Sequence, residues 1–504
     1  MKPFDIIYAR DINYGIGIKQ DNVYDLPWTF NVDMKYFNTI TSTTDNGLPT
    51  NDYMNAVIMG RNTWYSIDEK YRPLPNRINI IISSTIDTTE VKHLKNTYLA
   101  KNLEEAMKIV NNDHIINKIF VIGGSMLYNE AYKMNNFRYL YETIIMNNFN
   151  CDIKVNNYPE IYTYKKKMFQ LKNIRDNKKY NVEFKQSINV NYCKANNVKV
   201  IDMIPKCCNI EEQQYLTILE KLLRDGEFRK TRNANTWSLF NTSTTYDLEK
   251  GFPLLTSKKV NFKGVFEELL WFLKGDTNAK HLDDIGVKIW NPNSTREFLD
   301  NNGLKHYQPY DIGPMYGYNW LHFGHQYSGK DVDYTGKGFN QIEYILNLIK
   351  NDPTSRRIVM STFNPGQANE GVLYPCHGLI TQFYVSNGKL DIVTYQRSVD
   401  IFCGFPFNIA SYALLNHLIC NTVNNDPNYQ GNKISPGKLT IHLGDYHLYE
   451  DHYDQAILQI LREPFDFPKL LIKNNKTILS EFSFDDLELE NQKTYGAILA
   501  KMVA

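Results

Sequence analysis

Long apolar runs, net charge and patterned cysteine are what this 504-residue sequence lacks. No uninterrupted apolar stretch approaches the roughly 18 residues that cross a bilayer, so a soluble chain with no membrane partner is expected. Lys and Arg total 56 against 55 Asp and Glu, which leaves no net field to gather nucleic acid or an anionic surface. The Lys165-Lys166-Lys167 run reads as a solvated face. Cysteine is scarce: Cys151, Cys193, Cys207, Cys208, Cys376, Cys403 and Cys420 are odd in number and irregularly spaced, and no signal-like apolar segment follows Met1. That pattern points to a reducing, cytoplasmic compartment. No His-Glu-x-x-His is present, and His442, His447 and His452 recur every five residues. Five is neither a strand nor a helix period, so no metal is expected. Length alone gives about three domains, with two large ones equally compatible.

What is present begins with Tyr374-Pro375-Cys376-His377. A cysteine ahead of the β-branched and aromatic run Gln382-Phe383-Tyr384-Val385 fits a thiol nucleophile at a strand start, although a structural cysteine has the same local pattern. Arg397 stands twenty-one residues on, at the end of the alternating run Leu390–Tyr395, where a guanidinium favours both a thiolate and a bound phosphate. Further on lies Pro406-Phe407-Asn408-Ile409-Ala410-Ser411-Tyr412. The order Pro-Cys-His, Gln-Arg-Ser-x-Asp, Pro-Phe-Asn-Ile-Ala-Ser-Tyr resembles thymidylate synthase, and the resemblance runs from Phe252 to Ala504.

In the first half, Ile6-Ile7-Tyr8-Ala9 reads as a buried strand, and Gly15 and Gly17 lead through a loop to Leu26-Pro27-Trp28. Val32 to Thr39 carries helical spacing, with Asp33 and Phe37 one turn apart on one face. A carboxylate beside an aromatic would be partly desolvated, whereas the plainer reading is a first-turn acid favoured by the helix dipole. The segments Ala56–Trp64, Arg72–Arg77, Ile78–Ser84 and Ile119–Ser125 describe strands ending in small or basic residues, each followed by a helical pattern. Together they form an α/β sheet whose carboxyl edge can cradle phosphates. With Leu26-Pro27-Trp28 and Asp33, this set resembles dihydrofolate reductase over Phe4 to about Phe184.

Periodicity fades between Lys185 and Glu211, the best linker candidate, and apolar spacing from Glu211 to Arg224 predicts a helix opening the next domain. The expected organisation is a reductase domain over 1–188, a junction over 189–210 and a synthase domain over 211–504. The first is α/β, a mixed and mostly parallel sheet with flanking helices; the second is α+β. The pair resembles the fused reductase and synthase found in protozoa.

The resemblance implies roles for individual residues. In the reductase half, Asp33, supported by Thr143, holds the pterin. Phe37, Ile67 and Leu74 line the folate pocket, and Arg77 pairs with the folate carboxylate. NADPH would lie along Ala9, Gly60, Arg61, Asn62, Thr63, Ser83, Ser84, Gly123, Gly124, Ser125 and Tyr128. In the synthase half, Cys376 adds to dUMP, Glu268 orders water over the pyrimidine, and Tyr316 helps remove the C5 proton. Glu267 and Glu268 alone would read as a solvated face. Asp400, Trp290 and Asn291 face 5,10-methylenetetrahydrofolate, the cosubstrate. The remaining dUMP contacts are Arg232, His377, Gln396, Arg397, Ser398, Asn408, His447 and Tyr449, with Arg356 and Arg357 reaching across a homodimer formed by the synthase half. An amide at Asn408 offers both an acceptor and a donor, which suits uracil; cytosine would favour an acid.

Four features depart from the synthase pattern. The usual Arg-Thr-Gly phosphate loop is here Arg229-Lys230-Thr231-Arg232-Asn233, which displaces Arg232 by one position. Phe402 stands where glycine is usual, Leu321 replaces an arginine, and Cys376 to Gln382 is one residue longer than in the commonest version. An extra residue within a strand implies a bulge. A pyrimidine hydroxymethylase, or a binding protein without catalysis, is the competing reading.

Overall fold

The computed structural model describes residues 1–20, 23–206, 209–231 and 234–501. Contacts divide the chain into two compact units, one built on Met1–Cys207 with Ile457–Glu463 and Thr494–Gly496, the other on Cys208–Ala456 with Pro464–Lys493 and Ala497–Ala504.

An eight-stranded sheet forms the first unit, in the spatial order Ile161–Lys172, Lys179–Asn189, Phe137–Ile145, Phe4–Asp11, Ile116–Gly123, Met54–Gly60, Arg77–Ile82, Thr97–Ala100. The last six are parallel to their neighbours, and only the Ile161–Lys172 and Lys179–Asn189 pairings are antiparallel. The near-continuous apolar strands follow from burial on both faces. Ile6, Ile58, Ile80, Ile119 and Val121 pack on one side, while Ile7, Val57, Met59, Ile81 and Phe120 pack on the other. The helix Asn31–Ser42 begins at the carboxyl edge and carries Asp33 in its first turn.

Lys185 to Asn189, expected to be linker, is instead the end of the strand Lys179–Asn189. Every second residue there is not apolar, so the period-two signal is weak, yet Val182 to Ile188 of the strand pair with Ile145 to Tyr139. Short helices follow at Val190–Ala195 and Val200–Met203.

The second unit holds a six-stranded sheet ordered Glu227–Lys230, Asn235–Asp247, Ser435–Tyr449, Lys389–Asp400, Ile380–Ser386, Val359–Ser361. Only Lys389–Asp400 and Ser435–Tyr449 pair in parallel. The helices Ile210–Asp225, Phe262–Leu273 and Gly404–Asn425 are the longest of the unit's described helices, and Phe405, Ile409, Ala413 and Leu414 of the last are fully buried. This is the expected α+β arrangement.

No bulge interrupts Ile380–Ser386, which pairs in unbroken register with Val359–Ser361 and with Lys389–Asp400. The extra residue between Cys376 and Gln382 lies in the loop before the strand. Gly378 adopts φ +62° there, and a Cβ at that position would stand 1.8 Å from the Tyr412 hydroxyl. A glycine in the left-handed region absorbs the extra length more cheaply than a broken ladder.

Candidate active sites

Asp33 in the first unit is buried, and burial pushes its carboxyl up to about 6 while a hydrogen bond from Thr143 pulls the other way. Thr143 pairs across parallel strands with Ala9, so the acid sits where two central strands end. Phe37, Ile67 and Leu74 are partly buried against one apolar cluster containing Trp64 and Ile7. Arg77 is 2% exposed. It donates to the Pro75 carbonyl at 3.0 Å and to Thr41 Oγ1 at 2.6 Å, and has no carboxylate partner among the described residues. Burial lowers it to about 10. A buried guanidinium without an acid is costly unless an anion arrives. Trp28 points the same way: its indole N–H is buried with no partner among the described residues.

Beside this pocket the chain makes two short helices at strand ends, Arg61–Ser66 after Gly60 and Ser125–Tyr132 after Gly124. A Cβ on Gly123, whose φ is +137°, would lie 2.8 Å from Thr63 Oγ1 and 3.4 Å from the Tyr128 hydroxyl. Gly60, Thr63, Gly123 and Gly124 therefore form one close-packed cradle at two helix starts, suited to a phosphate diester, over Tyr128, which is buried and donates its hydroxyl to the Ile7 carbonyl at 3.0 Å. Arg61 donates to Thr85 at 2.6 Å, and the Ser83 hydroxyl lies 3.4 Å from that same oxygen. Asn62 and Ser84 are exposed beside them. Thr85 was not singled out in the sequence; it lies one residue beyond the strand-end serines that were. Ser125 is turned aside, donating to the Lys154 carbonyl.

Cys376 centres the second site. Its sulfur lies 3.1 Å from the Tyr316 hydroxyl, and its carbonyl accepts from the Arg397 amide at 2.8 Å. Burial raises the thiol, against which the Tyr316 hydroxyl and the Arg397 charge act to lower it. Tyr316 is itself buried, at φ 37°, and stacks on the His377 ring with centroids 4.2 Å apart. His377 is held neutral by burial, at about 3, and its Nδ1 lies 3.4 Å from the Tyr412 hydroxyl.

Glu268 belongs to the inward face of the helix Phe262–Leu273. It accepts from Trp290 Nε1 at 2.9 Å, and burial lifts it to about 7. Asn291 donates to Asp283 at 2.9 Å, leaving its carbonyl oxygen buried and unpartnered among the described residues. Gln396 is fully buried on the inner face of Lys389–Asp400. Its Oε1 accepts from Asn408 at 3.2 Å, and its Nε2 has no partner among the described residues. Arg397 donates to the Pro375 and Tyr374 carbonyls at 3.1 and 3.4 Å, and Ser398 follows half-buried. Asp400 pairs across strands with His447, whose Nδ1 lies 2.8 Å from Asp445 and whose ring packs on Tyr449 at 5.2 Å. Burial and nearby Asp400 raise Tyr449 to about 12.

The structure thus brings together Cys376, His377, Tyr316, Glu268, Trp290, Gln396, Arg397, Asn408, Asp400, His447 and Tyr449. It does not bring in Arg356 and Arg357. Both are exposed, ahead of the strand Val359–Ser361, with no ion-pair partner among the described residues. Arg232 lies outside the described residues. The five-residue histidine repeat does not converge: His442 is exposed on its strand, whereas His452 is buried. Phe402 is buried, and its carbonyl and ring both receive the Lys258 ammonium. Sequence reasoning missed Cys403 and His452 beside Asp400.

Comparison with known proteins covers both units. Residues 3–189 match the dihydrofolate reductase family and residues 213–504 the thymidylate synthase family. The bifunctional dihydrofolate reductase-thymidylate synthase of Paramecium tetraurelia is 36% identical over 505 residues, covering 99% of each chain. That of Zea mays is 35% identical over 522 residues, covering 99% of this chain and 96% of its own. That of Plasmodium berghei is 32% identical over 574 residues, covering 97% and 94%.

Proposed function

Because this chain belongs to the bifunctional dihydrofolate reductase-thymidylate synthase family, we propose how its residues divide the two activities. One half converts dUMP and 5,10-methylenetetrahydrofolate to dTMP and dihydrofolate, and the other returns dihydrofolate to tetrahydrofolate with NADPH. When bound, NADPH supplies hydride to the reductase half, and methylenetetrahydrofolate supplies the one-carbon unit and hydride to the synthase half.

In the reductase half, Asp33 accepts the pterin's amidine edge and raises the proton affinity of the nitrogen next to the reacting carbon. A carboxyl near 6 suits that task better than one near its ordinary value. Arg77 takes the folate carboxylate, and Phe37, Ile67 and Leu74 exclude water. The cradle of Gly60, Thr63, Gly123 and Gly124 over Tyr128, with Ala9, Ser125 and the Arg61, Asn62, Ser83 and Ser84 cluster, holds NADPH.

In the synthase half, the Cys376 thiolate forms a bond to C6 of dUMP, and the electron pair of the C5–C6 double bond moves to C5. Arg397 favours the thiolate and takes the phosphate. Gln396 and Asn408 present amides to the pyrimidine edge, His447 and Tyr449 hold the ribose, and Tyr316 with Glu268 moves protons at the ring. His377 stacks behind Tyr316. Asp400, Trp290 and Asn291 orient the folate.

Domain limits of 1–188 and 211–504, with a junction at 189–210, are supported by the two family matches and by the helix beginning at Ile210. A homodimer through the synthase half is supported by the outward face of its sheet, where Ile380, Tyr384, Val393 and Tyr395 are 41–56% exposed. Gln382 faces Val393 directly, so these side chains form one contiguous patch, of the kind that marks an interface. Arg356 and Arg357, without an ion-pair partner among the described residues, then serve the partner's phosphate site. No described helix is long and apolar enough to cross a membrane, and we place the enzyme in the cytoplasm.

The single observation that carries the synthase assignment is the 3.1 Å contact of Cys376 with Tyr316. Cys376→Ser should abolish dTMP formation and leave NADPH-dependent reduction nearly intact on one preparation. Synthase turnover above a few per cent would overturn it.

A further inference from the structure

Asp400, Cys403 and His452 offer one carboxylate oxygen, one sulfur and one imidazole nitrogen that all lie within 4.8 Å of one another. Different local structure fixes each. Asp400 ends its strand with Oδ1 accepting from the amides of Phe402 at 2.8 Å and Cys403 at 3.2 Å, which leaves Oδ2 for another partner. Cys403 caps the helix Gly404–Asn425. His452 closes the turn Glu450–His452, 1% exposed, its ring packed on Phe402 at 5.4 Å and Tyr449 at 5.8 Å.

The histidine is what separates this group from a chance cluster. Its Nε2 lies 2.8 Å from the Lys501 carbonyl. A carbonyl only accepts, so Nε2 carries the proton and Nδ1 presents a lone pair. That Nδ1 is buried and has no partner among the described residues. An imidazole with one N–H held by a carbonyl and its other nitrogen buried without a partner among the described residues, in a group with a thiol and a carboxylate, has the form of a metal ligand with its outer support in place.

We propose that Asp400, Cys403 and His452 form a site for a thiophilic divalent cation such as Zn²⁺, and that its occupancy switches off the synthase half by withdrawing Asp400. Tetrahedral zinc with bonds of ~2.0–2.3 Å puts its donors ~3.3–3.8 Å apart, inside the 4.8 Å that contains the three donor atoms here. A sulfur, nitrogen and oxygen donor set selects zinc-like ions over magnesium or calcium. Binding displaces the Cys403 thiol proton to solvent and forms the sulfur–metal bond; nothing is oxidised. The switch, unlike the site itself, rests on the reading of Asp400 as a folate contact.

Cobalt(II) tests the site in the full-length Cys376→Ser protein, where the nucleophilic thiol is gone. One equivalent of thiolate-to-cobalt charge-transfer absorption should appear there and be missing from Cys376→Ser/Cys403→Ser. Equal titrations of the two proteins overturn the site. His452→Gln in the Cys376→Ser background should weaken cobalt binding at least tenfold, and unchanged affinity overturns it equally, whatever the folding of the Cys403 variant. Zinc added to the wild-type chain should stop dTMP formation without slowing NADPH-dependent reduction, and Cys403→Ser, which keeps its basal synthase activity, should need at least tenfold more. Cobalt binding as expected with equal zinc inhibition of both proteins overturns the switch alone. Absence of dTMP formation in metal-free wild-type protein would instead overturn the synthase reading.

Discussion

Replacing Asp33 by Asn should stabilise the reductase unit while disabling it. The buried carboxyl titrates at about 6 in the folded chain against an ordinary 3.8. A difference of ~2 units is worth ~3 kcal/mol at 1.36 kcal/mol per unit. Because the folded-state value is raised, the native protein holds the extra proton between about pH 4 and 6. The cost of ionising Asp33 is therefore absent below the lower value, grows as pH rises through that window, and is fully present above the upper one. It amounts to ~1.5 kcal/mol at pH 5 and ~3 kcal/mol at pH 8. Asparagine has the same shape and no charge at any pH. The variant should gain on wild type by the difference, ~1.5 kcal/mol between pH 5 and pH 8, on top of a pH-independent loss of ~1 kcal/mol if its amide finds no acceptor. Equilibrium denaturation of ligand-free protein across this range reads it, with the reductase transition identified by its shift on adding NADPH. Reduction should slow strongly at neutral pH and recover in part as pH falls, since solvent can then protonate the substrate. Parallel stability curves for the two proteins across pH would refute the reasoning, because Asp33 would then carry no burial cost.

Glu268→Gln should lower synthase turnover ~10²–10⁴-fold and remove from the pH–rate profile the limb near 7 that its buried carboxyl supplies; a limb that survives belongs to another group. Cys376→Ser and Arg356→Ala proteins, each inactive as a synthase, should regain about a quarter of wild-type activity when unfolded and refolded together, since each mixed dimer has one intact site. Mixed dimers confirmed by mass spectrometry yet inactive would remove Arg356 from the partner's site. Glu212→Ala should cost the synthase unit ~3–5 kcal/mol, because this fully buried carboxylate accepts from the amides of Thr256 and Ser257 at 2.7–3.0 Å and from the Thr256 hydroxyl at 2.7 Å. Equilibrium unfolding with a loss below ~1 kcal/mol would mean the loop finds other acceptors.

Much of both sites was legible because their residues sit beside strand ends and helix starts that period-two and helical patterns mark well. Asp33, Gly123 and Gln396 are of this kind. Glu212 was not: it lies in a helix whose apolar spacing was read correctly, but nothing local says that its carboxylate is aimed at Thr256, forty-four residues away. His452 was judged by its spacing from other histidines, whereas its neighbours Asp400 and Cys403 reach it through the parallel pairing of Lys389–Asp400 with Ser435–Tyr449. The bulge expected after Cys376 failed for a related reason. A length change can be absorbed wherever a glycine permits positive φ, and Gly378 permits it before the strand begins.

The strand Phe4–Asp11 occupies the interior of the eight-stranded sheet, and its partners are made more than a hundred residues later: Asp5 pairs with Phe120 and Phe4 with Phe137. Until those residues are synthesised, Phe4–Asp11 lacks both of its strand partners. Closure over more than a hundred residues costs chain entropy before any contact repays it. The nascent reductase half is thus an open, adhesive polymer for most of its own translation. Deleting Phe4–Asp11 removes the middle of the sheet, so this short stretch tolerates shortening far less than an exposed loop of the same length.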